Sequence, residues 1–362
     1  MGWYRPAVST SPSRPRLAAL DGLRLVAALA VLAFHYVGIE LPYWGVPSYV
    51  EFPGLNEVAR YGYLGVNVFF AISGFVILMT AYDRSIESFA ASRVARLFPA
   101  YWAVVLLTAV LQQFWTGGRN PTLSDVLVNL TMTQEAYDVV NVQGAFWTLW
   151  IELKFYLLIG VFILVGMTRR RVLAFCVLWP LLGQVAAATD SGFLRSLLIP
   201  TYAPYFAAGM LLFLVFRERH DVTTWLALLL NWVLCLRQTM AYAERATDLV
   251  GAPVSPVVAA LVVSGGLLAI LACSRGAVSR ISWGWLTFAG SLTYPLYLVH
   301  GQLGFFLIDT LQTRTGSYAV LAIATSASLL LAYLVHLVAE KPVAPRLRRQ
   351  VLASLETRAS EP

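Results

Sequence analysis

The chain has 362 residues, of which 59% are hydrophobic and 12% charged, and it carries a net charge of +7. Soluble domains carry about 25% charged residues, so this composition excludes a soluble globular domain and marks an integral membrane protein. The positive balance is read as loop topology and not as a nucleic-acid footprint, because basic residues of membrane proteins collect on the cytoplasmic side; no nucleic-acid partner is expected.

Residues 1–18, rich in Pro, Ser and Arg, predict a short disordered cytoplasmic arm. Ten apolar stretches follow, near 20–39, 62–81, 99–116, 147–166, 172–189, 198–216, 222–240, 253–273, 285–308 and 317–339. Each is about long enough to cross a bilayer, and each should be helical, since lipid offers no partner to an unpaired backbone group. The first stretch is a full-length span with no small-residue cleavage site after it, so it reads as a retained helix and not a removed signal. The fold class is therefore all-α: a polytopic membrane bundle of about ten helices over residues 19–343, followed by a basic cytoplasmic tail at 344–362. Two long outer segments, 40–61 and 117–146, are candidates for a lid or an acceptor site. Cys176, Cys235 and Cys273 fall inside apolar stretches, none with a second Cys or a His at ligand spacing; no disulfide and no metal are expected. No internal repeat is visible, which counts against carriers built from inverted repeats.

Arginine placement tests the count. With the N-terminus in the cytoplasm and ten crossings, the inner segments hold Arg5, Arg14 and Arg16; Arg84, Arg93 and Arg96; Arg169, Arg170 and Arg171; Arg217 and Arg219; Arg275 and Arg280; and Lys341, Arg346, Arg348, Arg349 and Arg358. The outer segments hold only Arg60, Arg119, Arg195, Arg237, Arg245 and Arg314. A miscounted span would reverse that pattern midway, so both termini are expected in the cytoplasm, in the cell (plasma) membrane.

Ionisable residues inside spans cost several kcal/mol unless they face a cavity or a partner. Arg24 and His35 lie eleven residues apart, almost three whole turns, so they project from one helix face about 16 Å apart along the axis. Asp21, three residues before Arg24, can pair with it. Taken alone, Arg24 also reads as a snorkelling interfacial residue, and His35 as an interhelical hydrogen-bonding histidine. Glu152 falls about 8 Å below the outer surface and His300 about 21 Å above the inner one, which puts His35, Glu152 and His300 in one layer. A carboxylate beside a histidine would fix its tautomer and raise its basicity. Arg93 and Arg96, in "ASRVARLFP", share a helix face at the inner surface and suit phosphate, or else only mark topology. Ser73 and Gly74, in "FFAISGF", read as a small-residue packing notch, with Ser73 also a candidate donor contact. Pro295 should kink its helix and free a carbonyl one turn earlier, with Tyr294 and Tyr297 below His300 as cavity-lining hydroxyls. Lys154 points away from Glu152 and receives no role.

Taken together, these segments resemble the membrane-bound acyltransferase family 3, integral-membrane O-acyltransferases that modify surface glycans and some secondary metabolites. The resemblance rests on "LDGLRLVAALAVLAFH", "GYLGVNVFFAISGFVI", "RVARLFPAYW", "FWTLWIELKFY", "YPLYLVH" and "EKPV", in the family's order from residue 20 to about 343. It departs at Asn67, where the family commonly has an acidic residue, and at Leu153 and Lys154, where it commonly has Glu-Gln. Some relatives carry a further extracytoplasmic hydrolase-like domain; none is expected here, the chain ending shortly after Glu340.

What the resemblance implies is transfer of an acyl group, acetyl by family habit, from acyl-CoA (acetyl-CoA) to a hydroxyl. The acceptor would be a carbohydrate, such as a bacterial cell-surface glycan, or a glycosylated small molecule. His35 would be the general base, with Glu152, His300 and Arg24 as the other catalytic candidates. Arg93, Arg96, Arg24 and Ser73 would hold the donor; Tyr294, Tyr297, Trp147 and Tyr156 would line the substrate site. The rival from another class is a transporter or flippase of a polar or lipid-linked small molecule, which a buried charge layer also suits. A pure scaffold would leave that charge layer unexplained.

Overall fold

The computed structural model describes residues 17–82, 84–218 and 221–360. The expected disordered arm, apart from Leu17 and Ala18, lies outside the described residues, as does Arg219. Among the described residues there is no strand, and ten long helices carry the ten predicted stretches: α1 (Ala18–Ala33), α2 (Leu64–Ala81), α3 (Ile86–Phe114), α4 (Trp147–Val165), α5 (Arg169–Ala187), α6 (Ala203–Arg217), α7 (Val222–Val250), α8 (Pro256–Ser274), α9 (Gly284–Leu311) and α10 (Ser317–Val335). An eleventh, α11 (Lys341–Ser360), continues from α10 through a π-helical turn, so the region read as a basic tail is helical and packs along α3. Nine segments of the described residues are both long and apolar enough to cross a bilayer. The protein is a multi-pass membrane protein.

The predicted span outside those nine is α9. Its 28 residues are long enough, but Thr293, His300 and Gln302 are buried within it. It lies against α1, α3 and α10, so these polar groups face protein and not hydrocarbon.

Two helices exceed their predicted bounds. Helix α3 starts at Ile86, with the Ser85 hydroxyl accepting the Ser88 N–H at 3.3 Å, so Arg93 and Arg96 stand on a continuous helix that runs through Pro99. Helix α7 runs on to Val250, where Gly251 adopts a left-handed φ of 70° and its N–H closes onto Thr247. Only glycine takes that conformation without strain.

The tightest crossing is α2 on α6. A β-carbon at Gly74 would lie 2.1 Å from the Phe206 carbonyl oxygen, and one at Gly209 would lie 1.8 Å from that of Ala71. Two backbones can approach this closely only where side chains are missing, which bears out the packing notch at Gly74. The long segment 117–146 is folded and not loose. Thr122 caps the short helix Leu123–Asn129 in a reciprocal pair with Asp125, and those Thr122 hydrogen bonds hold the Asp125 carboxyl below the usual carboxylate range. The Gln143 amide oxygen then accepts the Gln302 N–H at 2.9 Å, tying the segment to α9.

Gly209→Ala is expected to cost about 3 kcal/mol, the upper end of overpacking penalties, and to lower the melting temperature in detergent. Gly192→Ala, where nothing lies within 4 Å, is the control expected to leave it unchanged. Equal melting of the two variants would refute the close crossing.

Candidate active site

At one end of the bundle three guanidiniums gather around an open cavity of about 470 Å³ lined by Asp21, Arg24, Arg93, Arg96, His336 and Glu340. Arg24 pairs with Asp21 one helical turn earlier at 3.4 Å, as the i, i+3 spacing predicts. The Arg93 guanidinium lies 5.9 Å from the Phe89 ring centroid and 5.8 Å from that of Tyr156. Its Nη2 donates to Ser92 at 2.9 Å, while its buried Nε has no hydrogen-bond partner among the described residues. Arg96 stands 5.5 Å from the Tyr294 ring centroid and forms an ion pair with Glu340.

Glu340 had no assigned role, although it opens the "EKPV" motif. It is 6% exposed, and its two oxygens divide between Arg96 and the His336 Nδ1, the latter at 2.9 Å. The turn that carries both His336 and Glu340 is π-helical. The His336–Glu340 pair stands at i, i+4, but the partner 244 residues away, Arg96, cannot be read from local spacing, which is why the contact was missed. Wider turns of this kind recur at functional sites.

Arg24, Arg93 and Arg96 also line a second, narrower cavity of about 120 Å³ deeper in the bundle, together with Ser73, Glu152 and Tyr156. There Glu152 Oε1 accepts hydrogen bonds from the Ser73 hydroxyl at 2.9 Å and the Tyr156 hydroxyl at 2.5 Å. The carboxylate is thus held by hydroxyls on the arginine side; of Glu152 and His300, the two groups that a shared layer offered as partners of His35, it is His300 that lies within hydrogen-bond distance of it. Depth along a helix axis says nothing about azimuth, and Glu152 is turned toward α2. Lys154 points elsewhere, 5.3 Å from the Trp150 ring centroid, and donates to Ser196 at 3.4 Å.

The histidines meet at the far side. After Ala33 the first span winds as a π-helix over Phe34–Gly38, and its carbonyls turn outward to side chains. The indole of Trp44 donates to the Tyr36 carbonyl at 2.7 Å, and the Asn56 amide donates to Val37 at 2.8 Å. Both donors come from the segment 40–61. The Tyr36 hydroxyl donates to the His300 carbonyl at 2.7 Å and lies 2.7 Å from the Ser328 hydroxyl, so α1, α9 and α10 share one node. Gly304 makes room for it, because a β-carbon there would sit 2.0 Å from that hydroxyl.

This frame sets His35 Nδ1 at 2.9 Å from the Val31 carbonyl and 3.1 Å from His300 Nε2. His300 Nδ1 in turn lies 2.8 Å from the Tyr297 carbonyl. Carbonyl oxygens only accept, so each contact requires the proton on Nδ1 of its ring. His300 Nε2 is then an acceptor facing the Nδ1–H of His35. The lone pair of His35 is left on Nε2, which has no hydrogen-bond partner among the described residues. His35 borders a third cavity, of about 200 Å³, with Tyr63, Asn67, Trp147, Tyr202 and Gln238. Val66 and Tyr297 line both this cavity and the deeper arginine-lined one.

Of the residues singled out from sequence, Arg24, Arg93, Arg96, Ser73, Glu152, Tyr156 and Tyr294 therefore come together at one cavity, and His35 with Trp147 at another. Tyr297 stands at both, its hydroxyl 2.7 Å from that of Thr148. His300 sits behind His35 and touches it directly. Tyr294 donates to the Leu97 carbonyl at 3.0 Å. The wall of the His35 cavity supplied by α6 and α7, including Tyr202, Tyr205, Gln238 and Tyr242, was missed, because these residues lie among ordinary span residues with no motif of their own.

Comparison with known proteins bears on this arrangement as a whole. The family model described as "Acyltransferase domain" matches residues 17–337. Among curated proteins, the acyltransferase MdmB of Streptomyces mycarofaciens is 30% identical over 154 residues, 40% of this chain and 39% of that protein. The peptidoglycan O-acetyltransferase OatA of Listeria monocytogenes is 25% identical over 178 residues, 43% of this chain and 26% of that protein. The putative peptidoglycan O-acetyltransferase YrhL of Bacillus subtilis is 27% identical over 168 residues, 41% of this chain and 24% of that protein. The matches thus span well under half the length of these relatives. No solved structure matches.

Tyr36→Phe removes one buried hydroxyl, takes a second hydrogen bond from the His300 carbonyl inside α9 and leaves the Ser328 hydroxyl without this partner. A loss of about 1–3 kcal/mol is expected, read as a lower melting temperature in detergent. An unchanged melt would show that the node is not held by this hydroxyl.

Proposed function

The chain belongs to the acyltransferase domain family, and from that premise we propose that it transfers an acyl group, acetyl being favoured, from cytoplasmic acyl-CoA to a hydroxyl. The acceptor is the hydroxyl of a carbohydrate or a glycosylated small molecule. With both termini in the cytoplasm, the cavity of the three arginines opens to the donor. Arg93, Arg96 and Arg24 hold the nucleotide phosphates through charge-assisted hydrogen bonds. Ser73 and Tyr156, committed to Glu152, keep that carboxylate engaged beside the arginines. The pantetheine arm follows α1 for the roughly 16 Å from Arg24 to His35, passing Tyr297 where the two inner cavities adjoin.

The observation that carries this reading is the placing of His35 Nδ1 2.9 Å from the Val31 carbonyl and 3.1 Å from His300 Nε2, which commits the ring proton there and leaves the lone pair on Nε2 of a residue that borders a cavity. His35 Nε2 takes the proton from the acceptor hydroxyl as its oxygen attacks the thioester carbon. A carbon–oxygen bond forms, the carbon–sulfur bond breaks, and the proton passes to the departing thiolate, leaving ester and free CoA thiol. His300 Nε2 accepts from His35 Nδ1–H and stabilises the imidazolium formed in between. In this reading His300, and not Glu152, orients the base. The developing oxyanion needs a donor, and the Tyr297 hydroxyl meets it by exchanging its hydrogen bond to the Ala145 carbonyl, 3.0 Å away. Donor and base thus occupy opposite ends of one route.

His35→Ala is expected to lower acetyl transfer about 10²–10⁴-fold, the usual range for a general base, with the fold and donor binding intact. Wild-type turnover would remove His35 from the mechanism. Arg93→Ala combined with Arg96→Ala should raise the donor KM about 10–100-fold, as loss of charged hydrogen bonds does, and lower kcat less; unchanged donor dependence would defeat the phosphate assignment. Thiol release from acetyl-CoA by the purified protein separates acyl transfer from transport, since a carrier releases none.

A further inference from the structure

The cavity beside His35 differs in kind from the one beside the arginines. No Asp, Glu, Lys or Arg among the described residues lines it. A charged ligand entering it would shed its hydration with no counter-ion in return. Its walls carry two aromatic pairs instead, Tyr63 with Tyr242 at 5.4 Å between centroids and Trp147 with Tyr202 at 5.5 Å. Such faces accept the C–H side of a saturated ring and leave its hydroxyls to polar neighbours.

Polar neighbours are present, and they are unequally occupied. The Tyr205 hydroxyl is taken up by Thr239 at 2.7 Å and by the Cys235 carbonyl at 3.1 Å. The Tyr63 hydroxyl is buried and has no hydrogen-bond partner among the described residues. Gln238 donates through Nε2 to Gln184 at 2.9 Å, and its amide oxygen remains as an acceptor at the cavity wall. Arg237, held on the same Gln184 oxygen at 3.1 Å, is not part of the lining. A buried hydroxyl without a partner costs about 1–3 kcal/mol, a cost that a ligand hydroxyl removes.

We propose that this cavity is the acceptor site, that it takes an electrically neutral polyhydroxylated ring, and that Tyr63 and Gln238 read that ring's hydroxyls. The proposal rests on the acyl-transfer reading above and adds to it where the acceptor binds and what charge it carries. The anionic donor and the neutral acceptor are sorted by the charge of their cavities, so neither competes for the other's place.

The test uses the full chain in detergent with radiolabelled acetyl-CoA. The acceptors are the methyl glycosides of glucose, galactose and N-acetylglucosamine, each paired with its C6 uronate. At least one neutral glycoside should be acetylated with a kcat/KM about 100-fold or more above its uronate. Tyr63→Phe should raise the KM for that glycoside about tenfold, the worth of one buried hydrogen bond, while the donor KM stays where it was. Gln238→Lys should narrow the preference over the uronate about tenfold, by supplying the missing counter-ion. Equal use of glycoside and uronate, an unmoved acceptor KM in Tyr63→Phe, or no transfer to any glycoside while acetyl-CoA is still hydrolysed, would each overturn the proposal. Absence of any thiol release from the wild type would instead remove the acyl-transfer reading on which it stands.

Discussion

A backbone that leaves the regular helical ladder at membrane depth must find its hydrogen bonds in protein, because lipid supplies none. At Phe34–Gly38 the first span does leave it, and Trp44, Asn56 and Tyr36 close the account with carbonyls on α1 and α9. The position of His35 depends on that exchange. Tyr36 and Val37 lie in the last turn of the span, where carbonyls have no donor from their own helix, and the segment 40–61 supplies one to each.

The second π-helical turn, at His336–Glu340, does the corresponding work at the other end. It turns Glu340 inward, where one carboxylate meets both Arg96 and His336. An arginine in a span is costly when unpaired. This pairing holds Arg96 in place, and because Glu340 takes only one of its nitrogens, other guanidinium donors remain for a ligand. Both irregular turns therefore hold titratable groups at cavities, and the regular helices between them keep the two groups apart.

Charge is sorted along the same line. The cavities at the arginine end are lined by guanidiniums with Asp21, Glu152 and Glu340 nearby, whereas the His35 cavity has aromatic rings and amides. A reaction between an anionic donor and a neutral acceptor suits such a division, since each cavity is costly for the other's ligand. The close α2–α6 crossing at Gly74 and Gly209 holds α2, which carries Ser73 and starts after Tyr63, against α6, which starts after Tyr202.

Sequence by itself determined the helical class, the ten stretches, the Asp21–Arg24 pair and the small-residue notch at Gly74. All of these follow from composition, periodicity or neighbours a turn away, and local chemistry is written in local sequence. The same reading identified His35, His300 and Glu152 and left open whether Glu152 or His300 stands against His35, because depth along an axis is a one-dimensional quantity and contact also needs the rotation of each helix. Only the tertiary structure decided that His300 faces His35, that Glu152 answers to Ser73 and Tyr156, and that Glu340 reaches Arg96. Those contacts join the first span to α9, α4 to α2, and the turn after α10 to α3, and two of the three carry a residue of a π-helical turn, whose winding leaves no mark on the spacing of side chains.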